Sequence, residues 1–238
     1  MKLDILVFAA HPDDAELSCS GTILKHIELG YKVGIVDLTR GELGTRGTPE
    51  LRAQEAAKAS EILGIHARHN LGLADGFFRK DQESLLRLIE MIRLYKPEIV
   101  LCNAEEDRHV DHGRGGDLAE EACFLSGLRK INSSWNGQVQ EAWRPKAVYH
   151  YIQDRMMKPD IVVDISPYFD KKLESIMAFS SQFYNPDSLE PETPISGENF
   201  IEFIKGRANQ FGRILNVKYG EGFTVKRAPG ISDLVKTL

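Results

Sequence analysis

Ile5-Leu6-Val7-Phe8-Ala9-Ala10-His11-Pro12-Asp13-Asp14-Ala15-Glu16 opens the chain with an unbroken apolar run that breaks into imidazole and carboxylate. A short continuous apolar run of this kind is the pattern of a strand buried on both faces. The polar cluster then sits at its carboxyl end. About a hundred residues on the pattern recurs: Ile99-Val100-Leu101-Cys102 leads into His109-Val110-Asp111-His112. Further apolar or β-branched runs at 32–38, 66–71, 147–151 and 161–165 read as strands. Between them lie amphipathic segments: 21–29 ending at Gly30, 48–63 ending at Gly64, and 82–95 stopping before Pro97. Thr48-Pro49 supplies a cap followed by proline at the first helical position.

Strand and helix alternate, so the expected fold class is α/β: Rossmann-like, a mostly parallel sheet with helices on both faces. In the doubly wound order 3-2-1-4-5-6, strands 1 and 4 are neighbours, and ligands bind beyond their carboxyl ends. That order brings His11 to His109 and His112, and it fails if strands 1 and 4 are separated. The last third is less regular. Residues 132–144 read as a surface excursion, and 185–199, with Pro186, Pro191, Pro194 and Gly197, as a loop, lid or subunit contact. Helices are expected at 171–183 and 200–215.

With 238 residues and 42% hydrophobic side chains, one domain over 1–238 can bury a full core. A net charge of -5 with both signs interspersed gives no basic stripe for nucleic acid or anionic lipid. Neither partner is expected. Cys19, Cys102 and Cys123 include no Cys-x-x-Cys pair and read as small core residues. The start lacks a signal-peptide pattern, and no run approaches the ~20 apolar residues of a membrane helix, so a cytoplasmic protein is expected.

Taken singly, His-Pro-Asp is a turn and His-x-x-His a weak pattern. At the ends of two neighbouring strands they make a metal site the better reading. His11, Asp14 and His112 form a His₂Asp set of the kind that holds a catalytic Zn²⁺ and leaves a position for water. Fe²⁺ or Co²⁺ also suits these donors. Asp13, beside a ligand, is placed to act as general base. His109 can be held protonated by Asp111 to stabilise an oxyanion, or can act as a general acid. A metal-dependent hydrolase follows. A closed structural zinc site, which would suit a non-catalytic sugar-binding protein, usually needs four Cys or His ligands. Arg52, Arg108 and Arg46 are candidates to hold substrate hydroxyls or a carboxylate. No Gly-x-Gly-x-x-Gly follows strand 1, which argues against a dinucleotide.

His11-Pro12-Asp13-Asp14 with His109-x-Asp111-His112 resembles the zinc-dependent N-acetylglucosaminyl deacetylases named after the phosphatidylinositol-glycan L and LmbE proteins. The resemblance spans nearly the whole chain, including 39–44, Thr48-Pro49-Glu50-Leu51-Arg52 and Glu221-Gly222-Phe223. It implies His11, Asp14 and His112 as zinc ligands, Asp13 as general base, and His109 with Asp111 as the charge-stabilising pair. It also implies a homo-oligomer acting on a small N-acetylglucosaminyl conjugate. Within the family, Gly41 to Gly47 and Glu106 to Arg114 look like the branch acting on N-acetylglucosaminyl-malate in bacillithiol synthesis. Another N-acyl sugar or a thiol conjugate is the alternative. The chain departs from many members at Val110, where they carry proline. It has Ala104-Glu105-Glu106 where other branches place an oxyanion-binding tyrosine, which leaves the second oxyanion donor open.

Overall fold

The computed structural model describes residues 1–185, 187–231 and 233; Pro186 of the expected excursion lies outside them. Strand β1 (Ile5–Ala9) is fully buried and pairs in parallel with β2 (Val33–Thr39) on one side and β4 (Ile99–Cys102) on the other. Its side chains alternate between two cores, as the period-2 geometry of a strand requires. Leu6 and Phe8 join Leu88, Ile92, Leu118 and Ala122 of helices α3 (Gln82–Tyr95) and α4 (Val110–Leu125). Ile5, Val7 and Ala9 join Ala15, Cys19, Ile23 and Leu63 of α1 (Asp14–Glu28) and α2 (Pro49–Leu63). The expected helix layers on both faces are present.

The seven-stranded sheet runs β3-β2-β1-β4-β7-β9-β8, where β3 is Ala67–Leu73, β7 is Ala147–Tyr151, β8 is Ile161–Asp164 and β9 is Gly220–Thr224. The expected 3-2-1-4 order and the neighbouring of strands 1 and 4 hold. The expected pairing of the fifth and sixth runs does not, because β9 inserts between them, antiparallel to both. Its two glycines mask the strand signal. They are needed there: a Cβ on Gly222 would stand 2.9 Å from the Phe211 ring.

Two helices also differ from the sequence reading. Helix α1 begins at Asp14, not Gly21; residues 14–24 are all buried, and polar and apolar residues alternate from Asp14 to Cys19, so no solvent-facing stripe reveals its first turns. Helix α4 contains Gly113, Gly115 and Gly116, which lower its propensity. At Gly116 a Cβ would lie 2.5 Å from the Asn103 carbonyl, so the close approach of α4 to the end of β4 requires glycine. The 132–144 excursion holds a small hairpin, β5 (Ser134–Trp135) and β6 (Gln138–Val139), turned by Asn136 and Gly137 at positive φ. Helices α5 (Phe169–Met177), which stops short of the expected end at 183, and α6 (Phe200–Leu215) flank the second excursion, and α5 packs on α1 and α2. Among the described residues no helix is long and apolar enough to cross a membrane.

One buried ionic cluster ties β2 and β3 to α1. Arg68 donates through Nε and Nη2 to Asp37 at 2.8 and 3.0 Å, and through Nη1 to Glu16 at 2.6 Å. Replacing Arg68 by Met strands two carboxylates that are 2% and 0% exposed. The expected loss is about 3–5 kcal/mol of unfolding free energy in urea titrations; a loss below ~1 kcal/mol would mean the pair is relieved some other way.

Candidate metal centre and cleft

The carboxyl ends of the parallel strands open into a cleft of about 330 Å³. β1 ends at Ala9, and the turn into α1 presents His11, Asp13 and Asp14; β4 ends at Cys102, and the turn into α4 presents Asp107, His109 and His112. The loop after β3 contributes Asp75, the loop after β7 contributes Gln153 and Asp154, and α6 contributes Arg207.

Asp14 stands between the two imidazoles. Its Oδ2 lies 3.5 Å from His11 Nδ1, and its Oδ1 lies 3.2 Å from His112 Nε2. Asn103 and Gln153 fix the carboxylate by donating to it at 3.0 and 2.5 Å. Each imidazole turns its other nitrogen to a further carboxylate: His11 Nε2 lies 3.0 Å from Asp75, and His112 Nδ1 lies 2.6 Å from Asp107. Carboxylate–histidine pairs of this form set the tautomer and aim of metal-binding imidazoles. Asp107 is held in turn by the backbone N–H groups of Arg108, Asp154 and Arg155.

The electrostatics suit a cation. Burial works against charge on His112, yet Asp14 and Asp107 outweigh it and hold the imidazole up at about 9. Burial likewise opposes charge on His11, but Asp111, Asp14 and Asp75 keep it well above its ordinary value. Burial would raise Asp14, and the two imidazoles pull it well below the carboxylate range. Protons thus occupy positions that a divalent ion would take, and metal binding must release them. Two tight groupings of possible donors occur among the described residues, His11–His109–His112 and His11–Asp75–Asp111. Both are centred on His11. Asp14, by its two oxygens, is the carboxylate that touches both His11 and His112.

Asp13 is a non-glycine residue at φ 118°, only 4% exposed, with no role as a side-chain cap for α1. Non-glycine residues rarely hold such a backbone conformation, and strain of this kind collects at functional sites. Burial pushes its carboxyl up to about 7, against the pull of Arg52, whose Nη2 is 4.0 Å away. Arg52 is itself buried, bonded to Gln182 and within 3.5 Å of the Pro12 carbonyl.

The remaining predicted residues fall less uniformly. His109 lines the cleft, but its Nδ1 accepts the Asp111 backbone N–H at 3.2 Å, and burial followed by the His11 and His112 charges lowers its pKa. The carboxylate of Asp111, expected to hold His109 protonated, is turned elsewhere. That carboxylate faces the Gly76 N–H at 2.6 Å, Arg114 at 2.7 Å and His11 at 3.5 Å instead. Arg108 lines the cleft and bonds Asp154 at 3.1 Å. Arg46 is buried behind the lining, near the Phe183 carbonyl and Glu190. The 185–199 segment brings Thr193, Pro194 and Ile195 onto the cleft, and Glu190 accepts the Gly47 N–H at 3.0 Å. Sequence reading passes over Asp75, Asp107, Gln153 and Arg207. The first three sit just beyond strand ends or inside a motif, and that placement is the available signal.

Residues 6–123 match the family described as PIG-L, GlcNAc-PI de-N-acetylase. The conserved protein TT1542 from Thermus thermophilus superposes with a TM-score of 0.85 at 37% identity, covering 98% of each chain. The chain belongs to the PIG-L family. Relatives of the chain differ in what they are named for. Diacetylchitobiose deacetylase from Thermococcus kodakarensis is 29% identical over 95% of this chain and 84% of its own. A 4-oxalmesaconate hydratase from Pseudomonas putida is 28% identical over 74% and 73%. A probable N-acetyl-alpha-D-glucosaminyl L-malate deacetylase 2 from Bacillus anthracis is 26% identical over 75% and 81%.

The carboxylates behind the imidazoles can be tested separately from the ligands. Asp107→Asn keeps the shape but removes the charge that orients His112, so zinc affinity is expected to fall about 10–100-fold. Competition against a chelator measures it, and an unchanged affinity would detach Asp107 from the centre.

Proposed function

We propose that this chain is a metal-dependent deacetylase that removes the acetyl group from an N-acetylglucosaminyl conjugate, N-acetylglucosaminyl-malate being the preferred one. The observation carrying this reading is Asp14 set between His11 and His112, each imidazole backed by a carboxylate, with buried Asp13 alongside in the same cleft.

His11, Asp14 and His112 would hold the ion, with zinc the best match to two imidazoles and a carboxylate and Fe²⁺ or Co²⁺ acceptable substitutes. When bound, the metal supplies Lewis acidity toward a carbonyl and a nucleophile available at neutral pH. The protein's own groups do the rest. Asp13, held near neutrality by burial, accepts a proton from the attacking water on its carboxylate and returns it to the leaving nitrogen. Arg52 keeps that carboxylate in place and favours its ionised form before attack. His109, whose Nδ1 already accepts a backbone N–H, carries its proton on Nε2 as a neutral ring and so offers a hydrogen-bond donor to the developing oxyanion. Asp111 acts on His11, as a further carboxylate favouring positive charge there.

The test is amine release from N-acetylglucosaminyl-malate, N,N′-diacetylchitobiose and free N-acetylglucosamine by zinc-loaded protein. The malate conjugate is expected to lead in kcat/KM by roughly tenfold or more, the scale of one charge-assisted contact. Diacetylchitobiose leading would keep the deacetylase and discard malate. The 4-oxalmesaconate hydratase relative supplies a second reading, hydration of an acid, which the arginines of the cleft also suit. Turnover of 4-oxalmesaconate with no amine release from any sugar would select it.

A further inference from the structure

Two guanidinium groups of the interior are fully engaged. Arg93 donates to the carbonyls of Ser126, Ile131 and Leu128 and to the Ser133 hydroxyl, and Arg68 spreads over Asp37 and Glu16. Arg207 is different. Its side chain is 9% exposed and lines the cleft, yet among the described residues its one hydrogen-bond acceptor is the Asp154 carbonyl at 3.2 Å. Its Nε is buried with no partner among the described residues. The guanidinium is held over the Phe203 ring at 4.7 Å, one turn earlier on α6, so it is aimed rather than loose.

The carboxylate on this wall is already shared. Asp154 Oδ2 lies 3.1 Å from Arg108 Nε, and its Oδ1 is 4.0 Å from Arg207 Nη2, the outer limit of an ion pair. Arg108 and Arg207 face Asp154, with Asp107 also acting on Arg207, and the arrangement leaves a buried donor that a bound acceptor would satisfy. Arg52 and Arg46 also have an unpartnered Nε among the described residues, but Arg52 stands against Asp13 at the reacting end, and Arg46 lies behind the lining beside Glu190.

The wall is tied to the metal centre. The Asp154 backbone N–H donates to Asp107, the carboxylate that orients His112, and the neighbouring Gln153 donates to Asp14. This arginine-bearing wall is thereby set at a fixed offset from the candidate ligands, the arrangement needed to grip the far end of a substrate whose acetamide sits at the metal.

We propose that Arg207, with Arg108 and Asp154, is the specificity determinant for the aglycone, selecting N-acetylglucosaminyl conjugates that carry a carboxylate there over neutral glycosides. This rests on the deacetylase reading. In use, the substrate carboxylate takes the open side of the Arg207 guanidinium while Asp154 stays with Arg108. Arg207 holds substrate and takes no part in proton transfer.

The experiment compares kcat/KM for N-acetylglucosaminyl-malate and for the methyl glycoside of N-acetylglucosamine in wild type, Arg207→Gln and Arg207→Lys. Wild type should favour the malate conjugate roughly 10- to 100-fold, the usual worth of a hydrogen bond to a charged group. Arg207→Gln should bring the ratio close to one, chiefly through KM for the malate conjugate, and Arg207→Lys, which keeps the charge, should retain part of it. A ratio that persists in Arg207→Gln, or a parallel fall for both substrates, overturns the proposal. Calorimetric titration with the two deacetylated products runs alongside and does not depend on turnover. Absence of amine release from both substrates and from N,N′-diacetylchitobiose would end the deacetylase reading, and the calorimetry would still decide the clamp: a malate preference lost in Arg207→Gln supports it, no preference in wild type overturns it.

Discussion

Asp13→Asn is expected to lower kcat for amine release by about 10²–10⁴-fold while the protein keeps its full complement of zinc, the range that general acid–base catalysis contributes. Its side chain makes no cap hydrogen bond for α1, its backbone holds φ 118°, and Arg52 is its nearest counter-charge. Desolvation lifts its carboxyl to about 7, where a group can both accept a proton from water and surrender it to an amine at neutral pH. Asparagine fills the same space and cannot carry the proton. Metal analysis on the same sample separates loss of the base from loss of the ion. Turnover within about threefold of wild type would remove Asp13 from proton transfer, since no general base contributes so little.

Asp14→Ala should act earlier, on metal binding itself. Asp14 is the group that touches both His11 and His112, and its removal also strands the Asn103 and Gln153 donors aimed at it. Zinc affinity should fall by more than the ~10–100-fold that loss of an outer partner such as Asp107 costs, and activity should vanish with it. Chelator competition reads the affinity, and circular dichroism confirms that the fold survives. Tight zinc binding by Asp14→Ala would shift the centre to the His11–His109–His112 grouping, which the ring positions also permit.

How far the sequence reveals this arrangement depends on the kind of signal. The β1 run is apolar because both its faces are covered, and the His-Pro-Asp-Asp cluster marks its carboxyl end, so the sheet centre and the meeting of His11 with His112 can be read directly. Helix α1 escapes in its first turns because it is buried all round and its polar and apolar residues alternate there. Strand β9 escapes because the packing of Phe211 demands glycine where a strand signal would want β-branched residues. Asp75 and Arg207 lie outside any motif and gain meaning only from what faces them: the His11 ring in one case, an open cleft in the other. Asp111 shows the opposite limit. Its nearness to His109 in sequence suggests a pair, but the first turn of α4 points its carboxylate at Gly76, Arg114 and His11.

Metal dependence is tested most directly by acetate release from N-acetylglucosaminyl-malate by protein stripped with a chelator, followed as zinc is returned to one equivalent per chain. No release is expected from the stripped protein, and full recovery is expected at one equivalent. Undiminished release without metal, or none at any loading from either this conjugate or N,N′-diacetylchitobiose, would contradict a metal-dependent deacetylase.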